Sequence, residues 1–65
     1  MELTINGKRE NGDFPTVLAL LAARGHEPKA VVVELNGAIV PAADFESRAL
    51  ADGDTVEIVQ FVGGG

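Results

Sequence analysis

An α+β fold of order β-β-α-β-β-β, one helix covering a mixed sheet, is predicted by three observations. Two Asn-Gly dipeptides, Asn6-Gly7 and Asn36-Gly37, each interrupt a run of strand-forming residues. Between them lies a Leu/Ala-rich stretch, residues 17–24, that contains no helix breaker. A last strand-like run, Thr55-Val56-Glu57-Ile58-Val59-Gln60-Phe61-Val62, precedes three glycines.

Each element follows in order. Leu3 and Ile5 alternate with Glu2, Thr4 and Asn6, the period of a strand with one buried face. Asn6-Gly7 suits a two-residue type I′ turn, which needs positive φ at both positions. It predicts a short second strand over residues 8–10, ended by the Asn11-Gly12-Asp13 turn. Thr16 is a good helix N-cap. Val17, Leu18, Leu21 and Ala22 form an apolar stripe for packing on a sheet. Arg24 falls in the last turn, where a cation suits the dipole, and Gly25 suits the C′ position that ends a helix.

After a loop, His26-Glu27-Pro28-Lys29, a Val-rich strand spans residues 30–35. Asn36-Gly37 turns it into Ala38-Ile39-Val40, and Pro41 ends that strand. Asp44-Phe45 starts a short helical turn that drops Phe45 into the core, and Asp52-Gly53-Asp54 turns into the last strand. Two hairpins flanking a helix, with the last strand inserted between them, make the β-grasp or ubiquitin-like plan. The predicted core is Leu18, Leu21, Val33, Ile39, Phe45, Leu50, Val56 and Ile58. Residues 1–62 form one domain and residues 63–65 a flexible glycine tail.

Glycine loses more backbone freedom on ordering than any other residue, so Gly63-Gly64-Gly65 adds nothing to the fold. Such a tail is a frayed end or linker remnant, or else a slim peptide that enters a narrow active site. In the second case the Gly65 carboxylate is the reactive group, and the chain is a substrate.

Composition narrows the function classes. Sixty-five residues with 46% hydrophobic content support one small core but leave little room for a supported catalytic cleft. The chain has no Cys, which excludes disulfides, thiolate metal sites and cysteine nucleophiles. Ten acidic residues against five basic ones, net charge −5, argue against nucleic acid and for a basic protein partner. No run approaches the roughly 20 apolar residues of a membrane span. A cytoplasmic chain, monomeric when free and binding no cofactor itself, is expected.

Side-chain chemistry is sparse. The lone His26 lies in a loop without an orienting partner, which favours a solvated histidine over a general base. Asp52-Gly53-Asp54 and Asp44 with Glu46 lack the ligand spacing of a calcium loop, and turn formation accounts for the former. No metal site is expected. In the last strand Val56 and Ile58 share one face, while Thr55, Glu57, Val59 and Phe61 share the other. Val59 and Phe61 therefore form a partner-docking patch, joined by Leu35 or Val33, unless a bulge returns Phe61 to the core. Glu57, Asp54 and Gly63 belong to the same docking segment.

The chain resembles the ThiS family, bacterial sulfur carriers of thiamin thiazole biosynthesis, over essentially its whole length. The likeness rests on the Asn6-Gly7 strand, the Thr16-Val17-Leu18 helix start and Val33-Glu34-Leu35-Asn36-Gly37-Ala38-Ile39-Val40-Pro41. Most specific is the close, from Asp52-Gly53-Asp54 through Phe61-Val62 to Gly63-Gly64-Gly65. Glu10-Asn11-Gly12-Asp13-Phe14 departs from it, being more polar than a well-formed second strand.

The resemblance implies a carrier and co-substrate rather than an enzyme. Gly65, preceded by Gly64, is adenylated with ATP by an E1-like, ThiF-type adenylyltransferase. Sulfur from a persulfide enzyme displaces AMP and leaves a thiocarboxylate, a covalent 1-thioglycine at Gly65. A ThiG-type thiazole synthase takes the sulfur. Two alternatives share the fold: the small subunit of molybdopterin synthase, with the same thiocarboxylate chemistry, and a passive ubiquitin-like binding module.

Overall fold

The computed structural model describes residues 1–61. The predicted Val62 and Gly63-Gly64-Gly65 lie outside the described residues. The first hairpin pairs β1, Glu2–Ile5, with β2, Lys8–Asn11. At its turn Asn6 and Gly7 have φ of 51° and 81°, the double left-handed geometry that Asn-Gly supplies at low cost. Leu3 and Ile5 are buried, whereas β2 contributes no buried residue. β2 is a sheet edge, and charged side chains there discourage pairing with other chains. The polarity of residues 8–11 thus fits their place, and the strand extends one residue beyond the predicted end.

The helix α1 spans Val17–Ala23. Thr16 caps it, its hydroxyl oxygen accepting the Ala19 N–H at 3.2 Å. Two further free N–H groups of the first turn, from Val17 and Leu18, donate to the carbonyls of Arg48 and Phe45 at 3.0 and 2.9 Å. Gly25 follows with φ of 75°. Arg24 is the C-cap residue rather than part of the last turn.

The buried stripe is Val17, Leu20 and Leu21, not the predicted Val17, Leu18, Leu21 and Ala22. Both choices have helical spacing. Turning Leu20 inward instead of Ala22 removes more apolar area from water, and Leu18 then packs half-buried at the core margin.

The second hairpin pairs β3, Val31–Leu35, with β4, Ala38–Val40. The last strand, β5, spans Thr55–Gln60, shorter than predicted. The sheet order is β2-β1-β5-β3-β4. β5 lies between the hairpins as predicted, parallel to β1 and antiparallel to β3. Short 3₁₀ turns occupy Pro28–Ala30, which delays β3 by one residue, and Ala42–Asp44, which leads Phe45 inward. Among the described residues no helix is long and apolar enough to cross a membrane.

The core lies between α1 and one sheet face. Of the predicted set, Leu21, Val33, Phe45, Leu50, Val56 and Ile58 are buried. Ile39 is not: it is 67% exposed. The two-residue turn fixes Leu35 opposite Ala38 and Val33 opposite Val40. Val40 therefore points inward, and Ile39, one residue out of phase, faces the open side of the sheet.

Candidate functional site: the open sheet face beside the C-terminal segment

β5 is flanked by one strand of each hairpin, and each hairpin turn sends its Asn side chain onto it. Asn36 Oδ1 accepts the Thr55 N–H at 2.9 Å, and Asn6 Oδ1 accepts the Ile58 N–H at 2.7 Å. The parallel β1–β5 register ends at Ile5 and Val56, so Asn6 satisfies with its side chain a donor that the backbone of β1 no longer reaches. β5 is thus held along most of its length.

Val56 and Ile58 face the core, while Thr55, Glu57 and Val59 face outward. The β3–β5 register runs unbroken from Val56 to Gln60, and the Phe61 N–H continues it by donating to the Ala30 carbonyl at 2.8 Å. No bulge intervenes, and Phe61 is 60% exposed beside Val59 at 61%. Together with Ile39 these are the large exposed hydrophobics among the described residues.

Leu35 and Val33, suggested above as extensions of this patch, are core residues. Alternation on β3 gives the reason, since the buried Val31, Val33 and Leu35 leave Val32 and Glu34 on the open face. Val32 stands opposite Val59, and Glu34 stands between Glu57 and Ile39. The apolar strip therefore runs from Phe61 across Val59 and Val32 towards Ile39. Reasoning from the sequence missed Val32, Glu34 and Ile39. The register imposed by the Asn36-Gly37 turn was the signal that could have found them.

Asp54 has a structural occupation. One carboxylate oxygen accepts from Asn36 Nδ2 at 3.0 Å and the other from the Ala51 N–H at 2.8 Å. Both carboxylate oxygens of Asp54 are thus engaged within the domain. Asp52 acts similarly, accepting the Glu2 N–H at 2.6 Å. Gly63, Gly64 and Gly65 lie outside the described residues.

His26 is half-buried after the helix, its backbone N–H donating to the Leu21 carbonyl at 2.9 Å. Among the described residues, no three acidic or histidine side chains are grouped to hold a metal ion. Among the described residues the arrangement offers an exposed apolar face.

Comparison with known proteins agrees with this picture. The ThiS family model matches residues 2–65. The sulfur carrier protein ThiS of Bacillus subtilis is 42% identical over 65 residues, covering 97% of this chain and 98% of that protein. Thiazole synthases of Paramagnetospirillum magneticum and Magnetococcus marinus are 46% and 36% identical over 66 residues. This chain spans only 20% of the length of each of those two proteins. The crystal structure of the thiamine biosynthesis protein ThiS from Geobacter metallireducens superposes with a TM-score of 0.84 at 39% identity, covering all of both chains. A family match across nearly every residue, with the same β-grasp fold, means that the chain belongs to the ThiS family.

Proposed function

We propose that this chain is a sulfur carrier of thiamin biosynthesis that bears sulfur on the carboxyl of Gly65. The observation that carries the reading is the correspondence, end to end, with the sulfur carrier of Bacillus subtilis.

A free α-carboxyl, with an ordinary pKa near 3.5, is ionised at neutral pH and resists nucleophiles. In the proposed cycle a carboxylate oxygen of Gly65 attacks the α-phosphorus of ATP on a ThiF-type adenylyltransferase, and pyrophosphate leaves. The terminal sulfur of a persulfide then attacks the acyl carbon and expels AMP. A thiol then attacks the donor-side sulfur of the resulting acyl disulfide, forming a disulfide with it and expelling the Gly65 thiocarboxylate. A ThiG-type thiazole synthase is the recipient, supported by the two thiazole synthases that contain a segment similar to the whole of this chain. Gly64 presents no Cβ to the walls of a narrow tunnel, and Gly65 leaves the attacked carbon uncrowded. Val59 and Phe61 dock the partner, with Glu57 on the same face and Asp54 adding its charge at the other end of β5.

Incubation with ATP and the adenylyltransferase tests this. Pyrophosphate exchange that depends on Gly65, and a sulfur-for-oxygen mass gain on adding the persulfide donor, are expected. An inert chain under both conditions overturns the reading.

A further inference from the structure

Glu34 and Glu57 stand directly opposite each other on β3 and β5. Both belong to the open face, because their neighbours in each strand are buried. Directly opposed like charges destabilise a sheet pair. The ion pairs formed among the described residues, Arg9 with Glu2 and Arg24 with Glu10, leave this pair without a cation. Arg9 belongs to β2, two strands away from Glu57. The acidic pair borders the exposed strip, with Ile39 at one end of its row and the Val32–Val59 pair alongside.

An apolar strip edged on one side by an uncompensated pair of carboxylates fits a partner with an apolar ridge flanked by a cation. We propose that this face receives the adenylating partner, with an arginine of that partner seated between Glu34 and Glu57. The inference rests on the sulfur-carrier reading and specifies its first encounter. An enzyme that must hold both a triphosphate and an incoming carboxylate needs a cationic site, and its rim complements this acidic edge. Arginine suits the seat because its planar fork can bind two carboxylates at once. The cation also removes the like-charge repulsion, so the pair costs stability in the free domain and contributes in the complex.

Carrier-dependent pyrophosphate exchange with the ThiF-type enzyme and ATP, measured for Glu34→Gln/Glu57→Gln, separates the possibilities. The double variant should raise the carrier's KM about tenfold and flatten its dependence on salt. Its thermal midpoint should be equal to or above that of the parent. Either single variant should show most of the loss, since the two carboxylates share one cation. Ile39→Ser should raise KM as well, whereas Glu46→Gln, outside the sheet, should behave like the parent. An unchanged KM for the double variant at low salt overturns the proposal while leaving the carrier reading in place. A parent chain that supports no exchange at all removes the carrier reading itself, and this proposal with it. Weakened binding to thiazole synthase, with adenylation unaffected, overturns the choice of partner.

Discussion

At the scale of single residues, the two turn asparagines each perform two tasks. Asn36 tolerates a φ of 52°, and its amide also joins Thr55 to Asp54. Alanine would fail at both. The left-handed backbone should cost about 1–2 kcal/mol, and the lost hydrogen bonds about 1 kcal/mol more. Asn36→Gly should keep the turn and lose only the second part. Urea unfolding of the two variants should therefore rank parent, Gly, then Ala in decreasing stability. Equal losses would mean that the left-handed backbone costs alanine nothing, and an Asn36→Gly chain as stable as the parent would mean that the side-chain bridge contributes nothing. Asn6 is the parallel case, with its Oδ1 the acceptor for Ile58.

At the scale of elements, phase decides which side chains carry the fold. Leu20 is fully buried, whereas Ala22 is exposed. Leu20→Ala should cost roughly 2–5 kcal/mol, and Leu18→Ala distinctly less, since Leu18 sits only half-buried at the margin. A thermal melt showing the reverse order would refute the observed helix rotation. This contrast also marks how far the sequence was legible. The turns, the cap at Thr16 and the alternation in β5 each have a local chemical cause, so they could be read directly. The facing of α1 could not, because two leucine-bearing stripes satisfied the same period and only the sheet beneath selects one. Ile39 is different: hydrophobicity suggested core, but the two-residue turn had already set it outward. Strand phase alone leaves that choice open, and only the register counted through the turn resolves it. The Glu34–Glu57 pair was out of reach for another reason, since it depends on how β5 aligns with a strand about twenty positions earlier in the chain.

At the scale of the whole molecule, stability and proposed function fall on opposite sides of one sheet. Ile58 is buried against the helix side, 7% exposed, while Phe61, three residues on, is 60% exposed. Ile58→Ala should therefore lower stability by roughly 2–4 kcal/mol. Phe61→Ala should scarcely change the melt yet weaken the adenylating partner's grip, as loss of an aromatic anchor does. The terminal glycines allow a separate test. Deleting Gly65 removes the proposed acyl carbon but no core side chain, so the melting curve should match the parent's while pyrophosphate exchange disappears. Gly64→Ala should fold normally and be activated slowly, because the added methyl group would crowd the narrow tunnel proposed for the tail. These measurements act together. If Phe61→Ala unfolds the domain, the exposed strip is structural. If the chain lacking Gly65 is still adenylated, the reacting group lies elsewhere and the carrier cycle at Gly65 is wrong.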